Sequence, residues 1–179
     1  VALPQDAEPA ETAGLPYDVE RWDGDVRNYD QMRRLIEGAA PGIIFHLAAV
    51  GVNDPFISEE LALQVNVHGT LNLLRAAQEG DVQRIVVAGT SYEYGADGHL
   101  DPGNVYAASK VAAWAFCRMY YRAYGAPVVL VRPFNVYGPR QNPQALIPAA
   151  IHAALANQDF PMTPGEQARD FIYVNDVIE

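Results

Sequence analysis

Tyr106 and Lys110 stand four residues apart in the stretch VYAASK, and Thr90 lies upstream in VVAGTSYEYG. Residues four apart on a helix share a face, so the phenol and the ammonium can point into one cleft. An isolated tyrosine ionises near pH ~10, and a neighbouring ammonium favours the phenolate and lowers that value. A phenolate near neutrality can take a proton from a carbinol while hydride leaves the same carbon, and the neutral phenol can return it. Such chemistry wants a second hydroxyl to orient the substrate oxygen, and Thr90 can offer one. Spacing alone leaves two readings open: a catalytic pair, or ordinary decoration of a helix surface. Thr90 by itself reads equally as a turn hydroxyl satisfying backbone.

These side chains need a scaffold, and the hydropathy pattern supplies one. GIIFHLAA (42–49), VQRIVVAGT (82–90) and APVVLVRP (126–133) are short apolar runs, the pattern of strands buried on both faces. NYDQMRRLIEG reads as a helix capped by Asn28, with Gln31 completing a capping box and Gly38 stopping it. SEELALQVNVHGTLNLLRAAQEG (58–80) has helical spacing, an acidic first turn and a terminal glycine, and Val105–Tyr124 is the next long helix. NPQALIPAAIHAALAN (142–157) is helical, with Pro143 in its first turn and Pro148 as a distortion. YDVERW (17–22) and DFIYV (170–174) complete the expected strands. Strands alternating with helices imply an α/β, doubly wound parallel sheet, with ligands beyond the strands' C-terminal ends.

Composition narrows the partners. Among 179 residues the formal net charge is −10, which argues against nucleic acid or an anionic membrane surface. One cysteine, Cys117, leaves no intramolecular disulfide, and no run is apolar enough to span a membrane, so a cytoplasmic location is the default. His68, His99 and His152 have no metal-ligand spacing, and His46 reads as a packed histidine inside a strand. VALPQD resembles the tail of a strand and DFIYVNDVIE stops where a helix starts, so the chain reads as an internal piece of something larger.

In this order, FHLAAVG, QVNVHGT, VVAGTSYEYG, YAASK, RPFNVYGP and RDFIYVNDV resemble the extended short-chain dehydrogenase/reductase family, in its nucleotide-sugar epimerase/dehydratase branch. The resemblance runs from Tyr17 onward. It implies an N-terminally truncated Rossmann-like domain over residues 1–140 that binds NAD, with NADP left open, and the beginning of a small substrate-binding region over 141–179. Thr90, Tyr106 and Lys110 then match the catalytic hydroxyl, the acid/base, and the lysine that lowers the tyrosine's pKa and meets the nicotinamide ribose. Asp25 and Val26 match the pair that meets the adenine. Leu47, Ala48, Ala49, Val50 and Gly51 match the segment under the phosphates and ribose, and Asn66 matches a cofactor-side asparagine. Pro133 and Phe134 resemble residues flanking the nicotinamide. Thr90, Asn135, Leu146 and Arg169 fall where the family contacts the sugar nucleotide, although Arg169 also reads as an ion pair with Asp170. A homodimer through helices 58–80 and 105–124 is implied by the same likeness.

Three departures accompany it. The Gly-rich phosphate loop lies upstream of the chain, no acid for the adenine ribose is identifiable in VALPQD, and ADGHLDPGNV is shorter than this branch usually has. Family dehydratases follow the catalytic threonine with an Asp-Glu pair, whereas here Ser91 and Tyr92 follow Thr90 and Glu93 comes one step later. The expected activity is therefore a sugar-nucleotide 4-epimerase, with an NADPH-dependent 4-keto sugar reductase as the alternative and a non-catalytic cofactor-binding protein behind both.

Overall fold

A computed structural model describes residues 19–179 apart from Asn53 and Pro55. The expected strand end at Val1–Leu3 and the loop after it lie outside the described residues. The chain divides into two compact units, Val1–Val131 and Arg132–Glu179.

The first unit is built on a parallel sheet in the order β1 (Ile43–His46), β2 (Arg84–Ala88), β3 (Val128–Val131). Ile44 pairs with Ile85 and Val87 with Leu130, so the apolar runs stand in register. Successive strand residues face opposite sides. Ile85 and Val87, with Ile44, Val128 and Leu130, meet α1 (Tyr29–Ala39), α3 (Gly69–Gln78) and α4 (Val105–Tyr124) in one core that includes Met32, Ile36, Leu74 and Cys117. The other side carries Ile43, Phe45, Val129 and Val131, all exposed. The expectation of burial on both faces is thus corrected among the described residues. The three helices that supply this core all pack on one side of the sheet, and an apolar run alone does not reveal which side is covered.

Local signals explain the helices. Asn28 accepts the Gln31 N–H at 3.1 Å and caps α1. Gln31 does not close a capping box; its amide oxygen accepts the Asp25 N–H at 2.8 Å. Nor does Gly38 stop the helix, which runs to Ala39 and ends on left-handed Ala40 (φ 42°). Gly38 serves contact instead: a Cβ there would lie 2.6 Å from the Trp22 ring. Trp22 belongs to 19–22, expected as strand, yet this segment is irregular and its ring packs on α1. The helix expected over 58–80 is α2 (Glu59–Ala62), a π-helical stretch Leu63–His68, and α3. α4 follows its expected bounds, capped by Asn104 and ended by left-handed Gly125.

In the second unit β4 (Asn135–Tyr137) pairs in parallel with β5 (Phe171–Tyr173), followed by α6 (Val174–Ile178). β4 was not expected; three residues are too few for periodicity to register. α5 spans Leu146–Leu155, so Pro143 precedes it and Pro148 falls in its first turn, where an N–H has no intrahelical partner and no distortion arises.

Candidate active site

One stripe of α4 organises the site. Tyr106, Lys110, Ala113, Cys117 and Tyr120 recur every three or four residues and are all buried. The C-terminal half of the stripe packs the core, with Cys117 and Tyr120 among its members. The N-terminal half presents Tyr106 and Lys110, 8% and 4% exposed.

Thr90 lies two residues past β2, whose ladder is extended by the Gly89 N–H donating to Val131 at 2.7 Å. Its hydroxyl accepts the Tyr92 N–H at 3.3 Å, starting a 3₁₀ turn over Ser91–Glu93. The same side chain lies close enough to the Tyr106 phenol to lower its pKa. Thr90 is therefore both the turn hydroxyl and a neighbour of the phenol. Glu93, fully buried, accepts the Thr90 N–H through Oε1 at 2.9 Å.

Burial dominates the electrostatics. Desolvation pushes the Tyr106 phenol above its ordinary value, the neighbouring Thr90 side chain opposes this, and the Glu93 and Tyr92 charges add to the rise. The expectation that Lys110 holds the phenol below its usual range is corrected. Lys110 is itself desolvated and pulled down, with Glu93 and Cys117 working against that, and Glu93 offsets its field. His46 is lowered to about 4, first by burial and then by Lys110. Its Nε2 is 3.0 Å from Thr70 Oγ1, whose proton goes to the Asn66 carbonyl at 2.7 Å. His46 must then donate through Nε2, as a neutral packed histidine.

The segment after β1 is fixed from the π-helical stretch. Asn66, 1% exposed, accepts the Val50 N–H at 2.9 Å and donates to the Val50 carbonyl at 3.0 Å and to Ser109 Oγ at 2.8 Å. Ser109 passes its own proton to the Tyr106 carbonyl at 2.7 Å. One amide thus ties the loop after β1 to the first turn of α4. Gly51 follows at φ 93°, where a Cβ would stand 3.0 Å from Ile57 and 3.4 Å from the Cβ of Tyr106. Backbone passes close to the base of the Tyr106 side chain there because glycine permits it. A cavity of about 300 Å³ opens beside Tyr106, lined also by Gly51, Asp54, Ile57, Tyr92 and Asn104.

Of the expected residues, the structure gathers Thr90, Tyr106, Lys110, Val50, Gly51 and Asn66. Ala48 is buried, Ala49 half-buried and Leu47 exposed in the same loop. Asp25 and Val26 lie before α1, outside the cavity lining. The Asp25 carboxylate accepts from the Arg27 guanidinium at 2.6 Å, which lowers its pKa, and buried Val26 packs where a Gly69 Cβ would be. Pro133, Phe134, Asn135, Leu146 and Arg169 belong to the second unit. There Asn135 donates to the Asp170 carbonyl at 2.9 Å, Phe134 and Leu146 are exposed, and Arg169 donates to the Ala168 carbonyl at 3.3 Å rather than to the Asp170 carboxylate. Glu93 was missed as a site residue, although T-S-Y-E has the spacing of a capping box. Among the described residues no His, Cys, Asp and Glu cluster could hold a metal, and no helix is long and apolar enough to cross a membrane.

Known proteins share this architecture. The human dTDP-D-glucose 4,6-dehydratase is 36% identical over 168 residues, 87% of this chain and 47% of its own length. The chain spans about half the length of the curated relatives it matches. Among solved structures, DesIV, a dTDP-glucose 4,6-dehydratase from Streptomyces venezuelae with NAD and TYD bound, aligns at TM-score 0.72 and 31% identity, over 86% of this chain and 50% of that one. The Thermus thermophilus UDP-glucose 4-epimerase in complex with NAD aligns at TM-score 0.72 and 31% identity, over 93% and 60%. The family match itself extends over residues 2–179, and the chain belongs to the NAD dependent epimerase/dehydratase family.

Proposed function

We propose that the protein is an NAD-dependent enzyme acting on a nucleotide sugar, specifically a 4-epimerase working through a transient 4-keto sugar. The observation that carries this reading is the burial together of Thr90, Tyr106 and Lys110, the last two one helical turn apart on α4, with Tyr106 lining a cavity. The residues fit a dinucleotide lying across the strand ends. Asn66 fixes both polar groups of Val50, and the backbone at Gly51 passes Ile57 where a Cβ would crowd it. When bound, NAD supplies the hydride acceptor. Thr90 orients the substrate hydroxyl, and Tyr106 takes its proton and later returns it. The phenol's burial-raised pKa suits the returning step, and the taking step needs positive charge beside the phenol. Leu47–Gly51 would lie under the cofactor, with Asp25 and Val26 toward the adenine and Pro133 and Phe134 toward the nicotinamide. Asn135, Leu146 and Arg169 would meet the sugar nucleotide, Arg169 because a guanidinium fork suits diphosphate oxygens.

Both dehydratases and epimerases are among the relatives. Elimination needs an acid for the leaving hydroxyl. Here no carboxyl from the stretch after Thr90 lines the cavity: Tyr92 does, while Glu93 turns back to the Thr90 N–H. The carboxyl that does line it, Asp54, comes from the loop after β1, and the lack of one beside Thr90 is what favours epimerisation. A homodimer through the helices of 59–78 and Val105–Tyr124, in a soluble cytoplasmic enzyme, belongs to the same reading; exposed Leu61, Leu63, Phe116 and Met119 support it. The test is incubation of the full-length protein with UDP-glucose, dTDP-glucose and their C4 epimers, followed by proton NMR. An epimer should appear without consumption of added NADPH. Stoichiometric NADPH oxidation by a 4-keto sugar nucleotide, with no epimerisation, would replace the epimerase by a reductase.

A further inference from the structure

Glu93 is 0% exposed, in the 3₁₀ turn between β2 and α4. Its carbonyl accepts the Asp101 N–H at 3.0 Å and its carboxylate the Thr90 N–H at 2.9 Å, so the side chain cannot swing out to water. A carboxylate removed from solvent is tolerated when a cation and donors compensate it. Lys110, equally buried, is the cation in its field. We infer that Glu93 is a positioning residue of this site, whose carboxylate pins the Thr90 backbone on one side and supplies the buried counter-charge of Lys110 on the other. The inference rests on the reading of Thr90, Tyr106 and Lys110 as the catalytic set.

The charged and titratable neighbours fix the sign. Lys110 feels Glu93 from the turn and Cys117 from its own helix and acts on neutral His46 of β1, while Tyr106 feels Glu93 and Tyr92. The Glu93 charge favours the protonated form of both Tyr106 and Lys110. Neutralising it moves both titrations the same way, toward lower pH. A rate profile that requires an ionised phenol and a charged lysine must then shift as a whole, while a merely structural role would reduce its height and leave its limbs in place.

Two measurements on the full-length protein test this. In a thermal-melt cycle at pH 8, Glu93→Gln and Lys110→Met should each lower Tm, and the double variant should melt well above the sum of the two losses, because neither charge is then stranded. Additive losses, or a double variant that fails to fold when the singles fail, would overturn the inference. In the NAD-loaded enzyme with UDP-glucose as probe, Glu93→Gln should move both limbs of the profile to lower pH. Limbs that stay in place would refute it. Tyr106→Phe separates the two readings. Turnover retained in that variant removes the catalytic set itself, whereas a dead Tyr106→Phe alongside an unmoved Glu93→Gln profile removes only the role of Glu93.

Discussion

Replacing Asn66 by aspartate exchanges one amide NH₂ for an oxygen, and the structure says what that exchange costs. The retained oxygen still accepts the Val50 N–H. The new one faces the Val50 carbonyl and Ser109 Oγ, which now receive donated hydrogens at 3.0 and 2.8 Å. Ser109 cannot reverse its role, because its proton is committed to the Tyr106 carbonyl. Two hydrogen bonds are lost and a buried negative charge meets two acceptors, a destabilisation of about 3 kcal/mol at neutral pH. A protonated carboxyl would recover one donor, so the folded variant holds its proton more tightly than the unfolded chain. Its pKa rises above the unfolded value of about 3.9. Relative to wild type, the variant is least impaired below that value and loses stability as pH rises, until the folded-state carboxyl is ionised. Urea unfolding of both proteins at pH 5 and pH 8 measures the gap directly. A gap below about 1 kcal/mol, or one that narrows with rising pH, would refute the reasoning.

Two further predictions concern the same wall of the site. His46, lowered to about 4, is neutral in the folded state, so its contribution is complete above the ordinary value of 6.5 and is lost as pH falls toward 4. That loss is about 3 kcal/mol, and His46→Gln should flatten it in urea titrations across this window; an unchanged slope would count against the assignment. Gly51→Ala should cost about 1–3 kcal/mol of stability and weaken NAD binding measured by calorimetry, since φ is 93° and the new Cβ meets Ile57 at 3.0 Å. Gly42→Ala, with nothing within 4 Å, is the control that should change neither.

What could be read in the chain follows from the range of each interaction. α4 was legible to the residue, because Asn104 and Gly125 bracket it and its stripe runs unbroken from Tyr106 to Tyr120. The three strands of the first unit were legible as apolar runs. Which face they bury was not, since that depends on helices distant in sequence, and Ile43 and Ile44 are the same residue with opposite fates. The π-helical stretch around Asn66 left no trace in the pattern; it matters because it lets one amide reach both Val50 and Ser109. The Tyr–Lys spacing suggested the pair, but the direction of the phenol's pKa was misread. Four residues of spacing show the ammonium and conceal both the burial and Glu93, which comes from another element.

Single-turnover hydride transfer in Tyr106→Phe tests the central claim most directly. The full-length protein, loaded with NAD, is mixed with its nucleotide sugar and reduced nicotinamide is followed at about 340 nm, with NAD retention measured in parallel. A site in which the phenol moves the proton predicts retained NAD and a transfer rate lower by about 10²–10⁴-fold. Transfer at the wild-type rate would contradict it.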